Sequence, residues 1–65
     1  MGKYLIKNYY AGTTKCSYAI VTEIRDYIDT IVCDLYDEKD NKIAQDRVFF
    51  YRGNKKDIPF EYKGE

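Results

Sequence analysis

The residue types that usually perform chemistry are almost absent from this sequence. Its 65 residues include no His, two Cys and a single Ser, Ser17. A serine or cysteine nucleophile is usually activated by a neighbouring base, most often His, and structural zinc is held by a set of Cys and His ligands. The four Gly are isolated, so the chain has no glycine-rich loop to hold a phosphate. The sequence therefore predicts a protein that is not an enzyme and that binds no metal or cofactor.

The two cysteines are the remaining candidate nucleophiles. Lys15 precedes Cys16 and could lower the pKa of its thiol. Cys33 falls on the apolar side of an alternating segment, which is typical of a core residue. We interpret both thiols as structural. A Cys16–Cys33 disulfide is the alternative, and it would require the two segments to be neighbouring strands in an oxidising compartment.

Acidic residues give a stronger functional signal. Residues 23–40 contain seven acidic and two basic residues, although the net charge of the chain is zero. Paired carboxylates can act as general acid and base, but most of these lie at a predicted hairpin tip, whereas catalysis requires a cleft. Complementary charge orients protein association. We therefore predict an acidic surface that meets a basic partner, with the candidate contact residues Asp34, Asp37, Glu38 and Asp40.

The eight tyrosines are the second candidate set. They exceed what one small core can hold with every hydroxyl hydrogen-bonded, so several should be exposed. Tyr is enriched at protein interfaces because it combines a large rigid ring with a hydroxyl at low entropic cost. The candidates for partner contact, which lie near predicted strand ends and edges, are Tyr9, Tyr10, Tyr51 and Tyr62. The alternative is that these rings coat the solvent face of a sheet and stabilise it through cross-strand pairs.

Alternating apolar and polar residues predict the strands that would position these side chains. The pattern predicts strands over 3–10, 28–36 and 42–51. The polar residues 37–41 would join the last two strands as a β-hairpin. A fifth strand is predicted over 58–62, at a sheet edge, because Pro59 has no N–H to donate to a neighbouring strand.

Residues 16–25 fit two descriptions. As a strand, they place Tyr18 and Ile20 on one face, with a turn near residues 25–27. As a helix over about 17–29, they space isoleucines four residues apart, and Ser17 could cap the start. The β-branched residues favour the strand, since their side chains are stiff in a helix.

These elements predict an all-β fold, a small five-stranded antiparallel sheet or partly closed barrel. The alternative is an α+β fold in which one helix at about 17–29 packs on a three- or four-stranded antiparallel sheet. In both descriptions residues 1–65 form a single small domain. A chain of this length is marginally stable without a disulfide, a metal or a partner chain, so homodimerisation is one expected solution.

The functional expectation is a non-catalytic protein-binding module. The chain has neither a signal-peptide pattern nor a run approaching the roughly 20 apolar residues of a membrane span, so we expect a cytoplasmic protein without membrane contact. Its size and its Lys-, Ile- and Tyr-rich composition resemble those of small proteins encoded by phages or mobile elements, many of which inhibit a host enzyme or defence complex by covering its surface. The resemblance implies the same role here, in the cytoplasm of the host cell.

Two alternatives use other features of the chain. A small β-barrel could bind nucleic acid by stacking bases on Tyr rings beside Lys side chains, although a net charge of zero disfavours phosphate binding. A self-assembling structural subunit would need no other partner and would form a stable oligomer by itself.

Overall fold

Antiparallel strands and two single 3₁₀ turns form the fold of residues 2–62, the part of the chain that the computed structural model describes. The 3₁₀ turns are Asp26–Ile28 and Gly53–Lys55. The strands are β1 (Lys3–Leu5), β2 (Tyr10–Ala11), β3 (Thr14–Lys15), β4 (Tyr18–Arg25), β5 (Thr30–Tyr36) and β6 (Lys42–Phe50). The all-β prediction is confirmed, and the alternative helix over 17–29 is wrong, because β4 occupies most of that segment.

The main sheet has four strands in the order β1-β4-β5-β6, and β2 and β3 form a separate hairpin. β4, β5 and β6 follow one another as a meander, joined by the Asp26–Ile28 turn and by the predicted turn at residues 37–41. Asp29 and Asp40 have positive φ angles of 55° and 65° at the ends of these turns, a conformation that Asp tolerates better than most residues. In the described part of the chain β1 pairs only with β4, so the sheet is open rather than a closed barrel.

Register shifts interrupt both central pairings of this sheet. In β4, Val21 pairs with Cys33 while Glu23 pairs with Val32, which leaves Thr22 as an extra residue. In β6, two further shifts lie between the partners of Cys33 and of Tyr36. Such bulges increase local twist and bend the strand. The sheet is therefore curled, and one of its faces is concave enough to hold a core.

A cluster of aromatic side chains packs on the inner face of the sheet. We define the inner face by the side chains of Ala19, Val21, Ile31, Cys33, Leu35 and Phe49. These side chains are buried, together with Ile6, Cys16, Tyr51 and Phe60 from the flanking segments. Phe60 stacks on Tyr4 with ring centroids 5.3 Å apart, and its edge meets Phe49 at 6.3 Å. Full burial of one such side chain contributes about 1.5–3 kcal/mol, so this face provides most of the packing energy.

Residues 58–62 are the main departure from the predicted fold. They form no strand, so the fifth strand predicted there is wrong. Instead Phe60 is buried against the inner face, and Ile58 and Tyr62 pack at its margin. Pro59 removes one backbone donor, and the aromatic contacts stabilise this segment as a cover over the sheet rather than as an extension of its edge.

The predicted first strand, 3–10, is divided in two. β1 covers only Lys3–Leu5, and the chain then turns into the β2–β3 hairpin. Backbone hydrogen bonds from Ile6 to Ser17 and from Cys16 to Tyr9 hold the hairpin at the end of the sheet. Ile6 and Cys16 are thereby buried at the inner face. The other predicted strands are confirmed with small changes, since β5 begins at Thr30 and β6 ends at Phe50.

Candidate functional site

The opposite face of the sheet carries apolar side chains that the aromatic core does not use. Directly paired residues in an antiparallel sheet lie on the same face, and Leu5 pairs with Tyr18, which pairs with Tyr36. Val32 and Val48 pair on the same side. We call this surface the outer face and define it by the side chains of Leu5, Tyr18, Ile20, Tyr36, Val48 and Phe50. None of the six belongs to the core cluster of the described residues, and Leu5 and Val48 are 73% and 50% exposed.

Two stacked tyrosines lie at one end of the outer face. The rings of Tyr18 and Tyr36 stack with centroids 5.0 Å apart and an interplanar angle of 4°. The Lys3 ammonium lies 4.3 Å from the centroid of the Tyr18 ring, a cation–π contact. The Tyr18 hydroxyl donates a hydrogen bond of 2.7 Å to Asp40 Oδ1. This bond to a carboxylate favours the neutral phenol and raises the pKa of Tyr18 to about 12.

The Tyr18–Asp40 hydrogen bond fixes the acidic turn, residues 37–41, beside the outer face. Within the turn, Asp37 Oδ1 accepts hydrogen bonds of 2.9 Å from the backbone N–H groups of Lys39 and of Asn41. These bonds favour the ionised carboxylate and lower the pKa of Asp37. Glu38 is exposed and makes no hydrogen bond or ion pair with any residue in the range 2–62. It is therefore the acidic group of this turn that a partner can reach most readily.

Asp34 does not lie on the exposed acidic surface that the sequence predicted. Only 9% of the residue is exposed, and its Oδ1 accepts a hydrogen bond of 3.1 Å from the backbone N–H of Asp46. Its other oxygen is 3.4 Å from the Lys42 ammonium. Asp46 has a φ of 56° at the point where β6 has extra residues opposite β5. The Asp34 carboxylate therefore stabilises a bulge in β6, and it is unavailable to a partner.

Three of the four predicted contact tyrosines belong to the core side of the molecule. Tyr9 meets the edge of the Phe49 ring at 6.0 Å, and Tyr51 meets Tyr62 edge-on at 5.0 Å. Tyr51 is buried, which contradicts its predicted exposure. Tyr10 is 53% exposed, as predicted, on the β2–β3 hairpin.

Sequence reasoning did not single out Tyr18 and Tyr36 as candidate contact residues, although a signal for them was present. Alternation in β5 places Tyr36 on the side opposite Leu35. If the register between β4 and β5 is known, the strand pattern also predicts which residue of β4 lies beside Tyr36, and that residue is aromatic. The register that pairs Tyr18 with Tyr36 depends on the turn and the bulge in β4, which the pattern did not reveal.

The other end of the outer face carries charges of both signs, because Arg52 and Lys55 lie beside Asp26 and Asp29. Arg52 donates to the Tyr51 hydroxyl and pairs with Asp29 at 3.4 Å. Tyr51 itself donates its hydroxyl proton to the Asp26 carboxylate, so these residues tie the Asp26–Ile28 turn to the end of β6. The Lys55 ammonium lies 5.1 Å from the centroid of the Phe50 ring. A shallow groove of about 620 Å³ opens here, lined by Ile28, Asp29, Phe50, Arg52, Gly53, Asn54 and Lys55.

A second groove, of about 540 Å³, lies between the β2–β3 hairpin and the acidic turn. Its rim carries charges of both signs, from Lys7, Lys15 and Glu38 among others. The thiol of Cys16 lies at its base and is buried, and burial raises its pKa, so the proposed activation by Lys15 is absent. Cys33 is also buried, which raises its pKa to about 12, and both cysteines are free thiols.

Searches for other kinds of site gave no further candidate. Among residues 2–62 there is no group of three or more His, Cys, Asp or Glu side chains that could hold a metal ion. No helix in the same range is long and apolar enough to cross a membrane. Comparisons with protein-family models, with curated protein sequences and with solved structures gave no significant match.

Proposed function

We propose that this chain is a non-catalytic protein-binding module whose contact surface is the outer face together with the acidic turn. The observation that carries the proposal is the hydrogen bond of 2.7 Å between Tyr18 and Asp40. It joins a stacked tyrosine pair and a set of exposed carboxylates into one continuous surface. Aromatic rings that are rigid and partly exposed are the usual anchors of protein interfaces.

The chemistry of this surface defines the partner that it fits. Leu5, Ile20 and Val48 offer apolar area to an apolar patch, and the acidic turn favours basic side chains at one end of that patch. Such a module acts by covering a surface of its partner rather than by catalysing a reaction. It would inhibit an enzyme or a defence complex by covering a basic surface, which is the inhibitory role expected from the size and composition of the chain.

The proposal places the module in the cytoplasm, or in the host cytoplasm for a phage-encoded protein. Free thiols persist in reducing compartments, and both cysteines are free and buried in this fold. A disulfide would therefore not be needed to hold the inner face together.

Nucleic-acid binding has one favourable observation and is the second candidate. A cation beside a stacked pair, as in Lys3 over Tyr18, is an arrangement that single-strand binding surfaces use. The Asp40 carboxylate bonded to the same tyrosine would repel a phosphate. Tyr9 and Tyr51, two of the predicted contact tyrosines, contact other aromatic rings of the chain, which leaves less of each ring for a base to stack on. Protein contact is therefore the better supported function.

The proposal is tested by capture from source cells with the tagged chain, with and without nuclease. We expect one protein to be retained after nuclease treatment and to be lost with Val48→Glu or Leu5→Glu, each of which puts a charge on the outer face. Tyr10→Ala, on the exposed hairpin, is the matched control and should capture as much as the wild-type chain. Retention by both outer-face variants would contradict the proposal, and capture of nucleic acid alone would favour the second candidate.

The contribution of the acidic turn is tested by Glu38→Lys combined with Asp40→Asn. This pair reverses the charge of the turn, while Asp37 keeps its hydrogen bonds and the amide oxygen introduced by Asp40→Asn still accepts from the Tyr18 hydroxyl. We expect weaker capture with a smaller dependence on salt, because the steering charge is lost. An unchanged affinity across salt concentrations would remove the acidic turn from the proposed surface.

A further inference from the structure

We infer that the outer face also binds a second copy of this chain, in a two-fold dimer that places the acidic turn of each copy against the basic segment of the other. This inference rests on the proposed function, because it names a partner for the same surface. The basic segment is defined as residues 52–57. Three observations support the two-fold dimer: the position of opposite charges on the outer face, the pairing of the charged groups between them, and the size of the face.

Opposite charges lie at opposite ends of the outer face, beside the same strand. The acidic turn precedes β6 and carries three acidic residues and one Lys, a net charge of −2. The basic segment follows β6 and carries three basic residues and one Asp, a net charge of +2. Arg52 is ion-paired with Asp26 and Asp29, so Lys55 and Lys56 carry the positive charge that a second copy can meet. Nine residues of strand separate them by about 30 Å. A two-fold axis between the sheets and perpendicular to the strands would place β6 over β6 and bring each turn onto the opposite charge of the other copy.

The groove at the basic end offers a place for the turn of the second copy. It is lined by the apolar residues Phe50 and Ile28, the latter 44% exposed, and by Lys55 and the Arg52–Asp29 ion pair, so Lys55 offers the available positive charge. Glu38, which is exposed and unpaired within residues 2–62, is the residue of the acidic turn best placed to enter it. In a two-fold dimer each contact occurs twice. The contact between the acidic turn of one copy and the basic segment of the other is therefore made at both ends of the interface.

Other charged groups on the outer face are already engaged within the chain. Arg25 pairs with Glu23 at 2.8 Å, and Lys42 pairs with Asp34 at 3.4 Å. These two ion pairs leave the area between the two turns close to neutral, which suits a copy of itself better than a strongly charged partner.

The dimensions of the molecule also match what a dimer requires. It measures 33 × 20 × 17 Å, and β6, with nine residues, spans about 30 Å of the longest dimension, whereas β1, with three residues, spans about 10 Å. The two larger dimensions therefore limit the face to at most about 650 Å² per copy, near the lower end of a standard interface. Two sheets packed in this way form a sandwich with aligned strands, which covers the second face of a chain too small to cover it alone.

The edge of β6 is a less suitable surface for dimerisation. The N–H and C=O of Phe50 are both occupied by Asp57, through bonds of 2.6 and 3.0 Å. The positive φ of Asp46 interrupts the strand at its middle. Such bulges and covered ends disfavour strand addition, so the outer face rather than the β6 edge is left for association.

The test is a charge exchange between two variants, followed by sedimentation and light scattering. Variant A is Glu38→Lys with Asp40→Asn, which gives the acidic turn a net charge of +1. Variant B is Lys55→Glu with Lys56→Glu, which gives the basic segment a net charge of −2. We expect the wild-type chain to have twice the 7.7 kDa mass of one copy. Each variant alone should be monomeric, and a mixture of A and B should recover the doubled mass, because only the mixed pair brings opposite charges together at both contacts.

Two controls separate this inference from general destabilisation and from the proposed function. Lys15→Glu changes a charge on the β2–β3 hairpin and should leave the doubled mass unchanged, whereas Val48→Glu should abolish it. A wild-type chain that is monomeric at every soluble concentration, or a dimer unaffected by Val48→Glu, would overturn the inference. The proposed function would survive that result if capture from cells still depended on the outer face. If both hold, a target protein must displace the second copy, so adding the protein captured from cells, once purified, should lower the fraction of the chain that sediments as the homodimer.

Discussion

The two faces of the main sheet are built from the same strands but differ in how far the rest of the chain covers them. On the inner face Ile31, Cys33 and Leu35 are fully buried. On the outer face most residues of the central strand β5 are buried as well, with Val32 only 4% exposed, but Leu5 on β1 and Val48 on β6 are 73% and 50% exposed. The exposure of these flanking strands does not come from a lack of hydrophobic residues, since both faces carry aliphatic and aromatic side chains. It arises because residues 6–16 and 58–62 cross the inner face only, so the exposed flanks of the outer face are the natural place to look for a partner.

The acidic residues show the same contrast between internal and external use. Asp34 and Asp37 each accept backbone hydrogen bonds and hold a bulge and a turn in place. Asp40 orients Tyr18. Glu38 makes no hydrogen bond or ion pair within residues 2–62. Acidic character in a sequence segment is therefore a poor guide to which carboxylates meet a partner.

The largest expected effect comes from removing the cover of the inner face. Phe60→Ala should lower the free energy of unfolding by about 3 kcal/mol, because it removes a buried ring and leaves a cavity against Tyr4 and Phe49. Val48→Ala, the corresponding truncation on the outer face, should alter it by no more than about 0.5 kcal/mol at a concentration where the chain is monomeric. Urea unfolding of both variants measures the difference. Similar small effects in the two would mean that residues 58–62 do not hold the core.

A smaller effect is expected at the bulge in β6. Asp34→Ala leaves the backbone N–H of Asp46 without its acceptor and should cost about 1–2 kcal/mol of unfolding free energy. Asp34→Asn keeps an acceptor oxygen and should be milder. Glu38→Ala is the control from the exposed acidic group and should leave the urea midpoint unchanged when both chains are compared at a concentration low enough for the chain to be monomeric. An effect at Glu38 as large as at Asp34 would remove the distinction between structural and available carboxylates.

The smallest expected effect concerns the two tyrosines whose hydroxyls donate to carboxylates. The pKa of Tyr51, bonded to Asp26, and that of Tyr18, bonded to Asp40, are both raised from 10.0 to about 12. A group whose pKa is higher in the folded state stabilises the fold fully below its unfolded value, so this contribution is present below pH 10 and is lost as the pH rises from 10 to 12.

Thermal unfolding between pH 9 and pH 12 tests this dependence. Tyr51→Phe should lower the melting temperature at pH 9 and reduce the decline at higher pH, because the titrating hydroxyl is gone. Tyr18→Phe should act in the same direction but less, since Tyr18 lies on the partly exposed outer face. Tyrosinate absorbance of the wild-type chain should show two hydroxyls that ionise late. If both variants follow the wild-type decline, the two hydrogen bonds do not contribute to stability.

Much of the fold could be predicted from the sequence, because local patterns control it. Alternation predicted β5 and β6, the polar run at residues 37–41 predicted their turn, and β-branched residues favoured β4 as a strand over a helix. The site was predicted less well. Asp37, Glu38 and Asp40 do share one turn, and Tyr10 is exposed, but Tyr51 is buried and Tyr18 and Tyr36 were not singled out. Strand alternation says that two faces exist, but it does not say which face the rest of the chain will cover.

The sequence by itself determined the absence of His-based catalytic groups, the all-β class, the central hairpin and the uneven distribution of charge. These properties depend on residue types and on spacings of a few residues, which local steric preferences convert directly into strands and turns. Only the tertiary structure decided the register of β4, the three bulges, the burial of Asp34 and the path of residues 58–62 over the inner face. Each of these depends on contacts between distant segments, where aromatic packing outweighs the local preference of residues 58–62 for an extended edge strand.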